Sequence, residues 1–205
     1  MSQPIEIPIK VGSTGRLPQY ASPHAAGCDL FATQDVILRP GETQLMPLDF
    51  VMALPEGFEA QVRPRSGLSL KTNLRLPNSP GTIDADYRNP VGVIMQNTYN
   101  PAWLAGQIAA RPELLSEILM THRPTRLRDI LTDHPAASDT ALAGLLDTTI
   151  FLDEQGNPYG TIYLHKGDRI AQLVISQHER AYFLDHPAPE TVGVDRGGGF
   201  GSTGR

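Results

Sequence analysis

Ile5, Ile7, Ile9 and Val11 alternate with other residues, the period of a strand with one buried face. Phe58, Ala60 and Val62 alternate in the same way ahead of Pro64. Further short strands are predicted at 36–38, 44–53, 91–97, 160–164 and 169–176, separated by turn signals such as Arg39-Pro40-Gly41 and Leu54-Pro55-Glu56-Gly57. Many short strands with this punctuation predict an all-β sandwich or jelly roll. Between Asn100 and Asp147 the pattern changes, with prolines at 101, 112, 124 and 135 each followed by Leu, Ile and Ala at helical spacing. Asn100-Pro101 reads as an N-cap with proline at the first helical position. A 12-residue unit runs twice in tandem, Arg111 to His122 and Arg123 to His134, with Arg, Pro, Leu, Ile, Leu and His in register. The block predicts two to four helices of roughly ten residues each, too short to persist in water unless packed on something. His122 and His134 fall where helix C-termini welcome partial positive charge, and their spacing does not make a metal site.

Composition narrows the picture. A chain of 205 residues suits one domain, or one domain with a small insertion. Nineteen glycines and 18 prolines favour turns over long helices. The net charge of −5 argues against a general nucleic-acid surface. Residues 98–158 hold eight acids against four arginines, so the remainder is nearly neutral and an anionic ligand must rely on local arginines. There is no basic patch leading into a long apolar stretch, and nowhere do 18 apolar residues run together. A soluble, cytoplasmic protein without signal peptide or membrane contact is therefore expected. The single cysteine, Cys28, excludes an internal disulfide and reads as a small buried apolar residue rather than a reactive thiol.

Five segments carry candidate chemistry. They are Ala26-Gly27-Cys28-Asp29-Leu30, Pro64-Arg65-Ser66-Gly67-Leu68-Ser69, Gly81-Thr82-Ile83-Asp84-Ala85-Asp86-Tyr87-Arg88, Gly167-Asp168-Arg169-Ile170-Ala171-Gln172, and the GGGFGSTGR tail that follows Asp195-Arg196. Glycines without Cβ let backbone N–H groups approach an anion closely, Phe200 offers a flat face for a base, and Arg196 offers a charge for phosphate. Taken alone, such a tail reads first as a disordered terminus. On a continuing strand, Asp84 and Asp86 would share one face with Tyr87 on the other, although a hairpin bend would alter this. By themselves the two carboxylates are as readily turn residues as catalytic ones. Asn78-Ser79-Pro80-Gly81 reads as a turn.

In this order the five segments resemble the motifs of the trimeric deoxyuridine triphosphatases, over about residues 5 to 97 and 159 to 204. The resemblance implies a dUTPase-like β jelly roll formed by 1–97 and 159–205, with a mobile arm from about 190 to 205. A small α-helical insertion, 98–158, would separate the third and fourth motifs. It implies hydrolysis of dUTP to dUMP and pyrophosphate, which limits uracil incorporation into DNA and supplies dUMP for thymidylate synthesis. By the same resemblance Asp84 orients and deprotonates the attacking water, and Tyr87 packs on the deoxyribose and excludes a ribose 2′-hydroxyl. Asn78 and the hairpin backbone around Gly81 and Ile83 read the uracil edge, and Asp86 has a structural or ion-pair role. Arg65, Ser66, Gly67 and Gln172 bind phosphate oxygens, while Arg169 serves a structural ion pair. Asp29 touches Mg²⁺ through water, in keeping with magnesium's habit of retaining waters and few protein carboxylates. Phe200 stacks on the base, Arg196 reaches the γ-phosphate, and Gly198, Gly199, Gly201, Ser202 and Thr203 wrap the triphosphate. A homotrimer is implied, with each site assembled from more than one subunit. Two departures stand out: Arg196 precedes Phe200 by four positions where five is usual, and Asn89 follows Tyr87-Arg88 where glycine is usual. Two other readings remain: a dCTP deaminase of related fold, and a regulatory protein that engages a partner through 98–158. That segment is open to three uses, as a tolerated surface insertion, a partner or oligomer contact, or a participant in the site.

Overall fold

The structure, a computed structural model, describes residues 4–132, 134–135 and 142–194. The strands are β1 (Ile9–Val11), β2 (Gln19–Tyr20), β3 (Gly27–Phe31), β4 (Val36–Leu38), β5 (Thr43–Pro47), β6 (Phe50–Met52) and β7 (Phe58–Arg63), followed by helix α1 (Ser66–Lys71). The chain continues through β8 (Leu74–Arg75), β9 (Gly81–Ile83) and β10 (Gly92–Asn97). After a one-turn 3-10 helix come α2 (Leu104–Ala110), α3 (Glu113–Leu119), β11 (Arg123–Arg126), α4 (Leu127–Ile130), α5 (Ala143–Leu146) and β12 (Thr149–Leu152). The last strands are β13 (Ile162–Leu164) and β14 (Arg169–Gln177).

Every strand pair is antiparallel. The largest sheet runs in the order β2-β3-β14-β7-β9, with β5-β10-β8 and the pairs β1-β6 and β13-β4 completing the jelly roll. Alternation along each strand builds the core: Cys28 and Leu30 of β3, Val36 and Leu38 of β4, Ala60 and Val62 of β7, and Val93 and Met95 of β10 all point inward. Cys28 is buried, as expected, and burial raises its thiol pKa, which leaves it in the inert thiol form.

Three deviations from simple alternation matter. The strand expected over 44–53 is split by Asp49, which sits at φ 52. Its carboxylate accepts from Thr14 N (2.8 Å), Thr14 Oγ1 (2.7 Å) and Gly15 N (3.2 Å), and its carbonyl accepts from Gly12 N at 2.7 Å. A Cβ on Gly12 would lie 2.1 Å from Asp49 Oδ1, so that position requires glycine. After this turn β6 leaves β5 and pairs with β1. The alternation expected from Ile5 forms a strand only from Ile9, and Ile5 itself is exposed. In β14 the register against β3 shifts between Arg169 and Ala171, so Ile170 and Ala171 are both buried while Arg169 and Gln172 both face outward.

The segment between β10 and β13 buries Leu114, Ile118 and Leu146, none of which belongs to the jelly-roll core. Asn100 caps as expected, its side-chain oxygen accepting from Ala102 N at 3.0 Å with Pro101 next in line. The tandem repeat, however, does not give two like helices. Glu113 follows Pro112 and places a carboxylate in the first turn of α3, where the helix dipole favours it. Thr125, a β-branched residue that favours extension, follows Pro124, and β11 pairs with β12 instead. The segment is thus mixed helix and strand. Asn97, fully buried, fastens it to the jelly roll. Its amide donates to Leu38 O (2.9 Å) and Gly160 O (2.8 Å), and its side-chain oxygen accepts from Tyr99 N (3.0 Å).

Candidate active site

Two groups of the proposed site residues form at different places in one chain. In the first, Asp29 on β3 lies beside Gln172 on β14, and Arg65 follows the end of β7 at the start of α1. Arg65 Nε donates to Asp29 Oδ1 at 2.9 Å, and Arg169 Nη1 donates to Asp29 Oδ2 at 3.3 Å. The Asp29 side chain is only 13% exposed, so a largely desolvated carboxylate is matched by two guanidinium groups, an arrangement that fixes Arg65 in place. Arg65 Nη1 also donates to Arg169 O at 3.2 Å. Gln172 Nε2 donates to Pro64 O at 3.2 Å and ties the turn before α1 to β14. A Cβ on Gly27 would sit 2.6 Å from Gln172 Oε1, so a larger residue there would displace the glutamine side chain. Ser66 and Gly67 open α1 and are exposed. The β14 bulge, invisible to periodicity, brings Arg169 and Gln172 to one face, and Arg169 has the ion pair expected of it.

The second group lies on the sheet edge. In β9, Gly81 pairs with Val62 and Ile83 with Ala60. Ile83 is buried, which leaves its backbone rather than its side chain for recognition. Asn78 packs against Gly81, where an added Cβ would stand 3.0 Å from Asn78 Nδ2. The strand stops at Ile83. Asp84 to Tyr87 is a turn closed by Tyr87 N to Asp84 O at 3.1 Å, so the alternation expected of Asp84, Asp86 and Tyr87 does not apply. Tyr87 Oη donates to Pro90 O at 3.1 Å, which anchors the ring. Arg88, not singled out from sequence, donates to Ala85 O (2.6 Å) and Tyr87 O (2.9 Å) and holds the turn together. Among the described residues Asp86 has no ion pair, contrary to that part of its expected role.

Asp84 borders a cavity of about 740 Å³, whose walls also carry Glu56, Asp86, His178, Glu179 and Arg180. Four carboxylates against one arginine make this wall hostile to a triphosphate unless cations arrive from elsewhere. The arginine that could serve is far off. Ile83, the residue before Asp84, pairs with Ala60 of β7, and Arg65 lies five residues further along the chain, past the end of β7 at Arg63, so the two levels stand up to about 17 Å apart. A residue that activates water at a phosphorus and one that grips the same phosphate chain must lie a few ångströms apart. Arg196, Phe200, Gly201 and Ser202, with Gly198, Gly199 and Thr203, lie outside the described residues.

The antiparallel jelly roll thus carries a carboxylate turn at the β9 edge and an arginine, glutamine and short-helix cluster at the ends of its central strands β3, β14 and β7. The dUTPase family model matches residues 13–102. The deoxyuridine 5′-triphosphate nucleotidohydrolases of Rickettsia canadensis and Rickettsia akari are 33% and 35% identical to this chain. Each alignment covers 93% of this chain, with 89% and 90% of the respective relative. The chain belongs to the dUTPase family. Against the enzyme of Rickettsia felis identity rises to 52%, but over 86 residues, so that the match spans just over half of that relative's length (58%). The structure of the Staphylococcus bacteriophage 80alpha dUTPase with dUpNHpp shares the fold, with a TM-score of 0.68 and 24% identity, covering 98% of this chain and 99% of that one. The dUTPase of phage phi11 of S. aureus, described with a species-specific insert, gives 0.61 at 21% identity, covering 89% and 97%.

Proposed function

We infer that this chain hydrolyses dUTP to dUMP and pyrophosphate at sites formed between copies of itself. What carries this reading is that β9 ends at Ile83, level with Ala60, while Arg65 follows the far end of β7, up to about 17 Å further along the chain. Family membership favours this over a deaminase or a purely regulatory protein. In a homotrimer, one subunit supplies Asn78, Gly81, Ile83, Asp84 and Tyr87. A second supplies Arg65, Ser66, Gly67 and Gln172, and a third the arm with Arg196, Phe200, Gly201 and Ser202. The carboxylate of Asp84 takes a proton from water as that water attacks the α-phosphorus. The bond from that phosphorus to the bridging oxygen breaks, and pyrophosphate leaves with the electron pair. Arg65 and Gln172 donate to the phosphate oxygens and balance the acidic wall. The anchored Tyr87 ring closes the space beside the sugar C2′, and the backbone of the Gly81–Ile83 edge reads the pyrimidine.

No cluster of three or more metal-holding side chains occurs among the described residues. Asp29 nevertheless fits an ion brought in with the phosphates, because Oδ1 beside its Arg65 contact and Oδ2 beside its Arg169 contact each retain a lone pair that can accept a hydrogen bond from metal-bound water. Mg²⁺ bound there would neutralise charge developing on the phosphates. No helix among the described residues is long and apolar enough to cross a membrane. Residues 98–158 we assign as an insertion into the jelly roll, and 190–205 as its arm.

The test is pyrophosphate release from dUTP with Mg²⁺, run against dCTP, dTTP and UTP and repeated with Asp84→Asn. Release from dUTP alone, lowered about 10²–10⁴-fold by the substitution, supports the reading. Equal rates for wild type and variant overturn the assignment of Asp84, and absence of release from the folded oligomer overturns the activity.

A further inference from the structure

The stretch from Gly12 to Arg16 is pinned more firmly than an exposed connection between two short strands requires. Asp49 accepts hydrogen bonds from Thr14 N, Thr14 Oγ1 and Gly15 N, and a Cβ on Gly15 would overlap Asp49 O, so the backbone is closed over that residue just before Arg16. The Arg16 side chain is then held twice. Its guanidinium carbon lies 4.0 Å from the centre of the Phe31 ring, and Nη2 donates to Gln19 Oε1 at 2.9 Å. A long exposed side chain fixed in this way loses rotamer freedom. No carboxylate offsets the loss, because among the described residues Arg16 belongs to none of the ion pairs, and its Nε and Nη1 make no hydrogen bond.

Strand register sets this cation beside the phosphate cluster. Gln19 pairs with Asp29 and Asp29 with Gln172, in one row across β2, β3 and β14, and Phe31 pairs with Arg169 in a neighbouring row. Asp29 and Phe31 stand two residues apart on the same outward face of β3. Arg16, stacked on Phe31 and bonded to Gln19, is therefore roughly 5–10 Å from Asp29. Arg65 and Arg169 already share that carboxylate, so the third guanidinium adds a surplus of positive charge suited to a polyanion.

We propose that Arg16 binds the terminal phosphate of the triphosphate at the hydrolytic site, an assignment that rests on the reading of that site given above. The terminal phosphate carries the largest share of the chain's negative charge. Unlike the α-phosphorus it has no need to lie within reach of Asp84, so it suits a guanidinium set apart from Arg65. Flat stacking on Phe31 leaves the edge of the guanidinium, with its free donors, for phosphate oxygens. Arg16 falls outside all five motif segments, and its place in the site follows from the pinned loop and the register of β2.

The test is calorimetric titration of the intact oligomer, with Mg²⁺ present, using a non-hydrolysable dUTP analogue and, separately, dUMP. Arg16→Gln is expected to weaken binding of the analogue about tenfold, the loss of one exposed charge-assisted contact, and to leave dUMP, which lacks the terminal phosphate, within about twofold. Arg16→Lys keeps the charge without the flat fork and should recover part of that loss. Equal affinity of wild type and Arg16→Gln for the analogue overturns the proposal. A loss that dUMP shares in full overturns it too, since the substitution would then have disturbed the face as a whole. Binding is read here and not turnover, so a wild type that binds the analogue yet releases no pyrophosphate from dUTP overturns the proposed hydrolysis alone, whereas a wild type that does not bind the analogue overturns both.

Discussion

Asn97→Ala isolates what joins the 98–158 segment to the jelly roll. Asn97 is completely buried and makes three hydrogen bonds, to Leu38 O, Gly160 O and Tyr99 N, which connect β4, the end of β10 and the return into β13. Alanine leaves all three backbone groups without their partner. At about 1–3 kcal/mol for each orphaned group, and allowing for partial rescue by water entering the space, the loss is about 3–5 kcal/mol. For a chain of this length each kcal/mol moves the midpoint by roughly 2–4 °C, so the variant is expected to melt about 10 °C lower. Circular dichroism melts at matched protein concentration measure this, since an oligomer's midpoint depends on concentration. Asn97→Asp is a shape-conserving companion. It replaces the donor facing two carbonyls with an acceptor, so it should do at least as much harm near neutral pH and recover partly as acid protonates it. A fall of less than about 2 °C in both variants would refute the claim that this side chain carries the junction.

Gly160→Ala should be destabilising by about 2–4 kcal/mol, because Gly160 sits at φ +91 and the new methyl would overlap the Tyr99 ring; a melt equal to wild type would contradict this. Burial pushes the Asp153 carboxyl upward, but hydrogen bonds from Tyr163, Asn157 N and Gln155 N, with the positive charge of His122, outweigh it and hold the group below its ordinary 3.8. A carboxyl depressed in the folded state adds stability that is complete above that value and disappears as pH falls through the folded one. The turn from Asp153 to Asn157 and its Tyr163 contact should therefore loosen on acidification, lowering the melting temperature near and below pH 3.8 by an amount that Asp153→Asn removes; identical acid profiles for the two proteins would count against it. Tyr87→Phe removes the hydrogen bond to Pro90 O and should raise the rate on UTP relative to dUTP by up to about tenfold, whereas an unchanged ratio would mean that ring position does not depend on this anchor.

Local signals carried much of the architecture. Val36–Leu38 was legible because Pro40-Gly41 punctuates a short apolar run, and Asn100-Pro101 because capping chemistry is confined to adjacent residues. Asp49 was not, since a non-glycine residue at positive φ is held there by Thr14 and Gly15, more than thirty positions away. The second copy of the 12-residue unit misled because the same proline precedes different first-turn residues and a strand partner waits at 149–152. At the site, motif order grouped Arg65 with Gln172, and the structure brings the two segments together through the Gln172 bond to Pro64 O. The β14 bulge and the Arg169 half of the clamp on Asp29 depend on pairing across more than a hundred residues, and the Arg65 half on a partner 36 positions away, which no local pattern encodes.

The central claim, that Asp84 of one copy works with Arg65 of another, is tested most directly by mixing two inactive variants. Asp84→Asn and Arg65→Ala are unfolded together, refolded in equal amounts, and assayed for pyrophosphate release from dUTP. If the site is shared, an intact pair forms wherever an Arg65→Ala chain offers Asp84 to an Asp84→Asn chain offering Arg65, so about one quarter of wild-type activity should return. If each chain held its own complete site, every site in the mixture would lack one of the two residues, and activity would stay at the level of the separate variants.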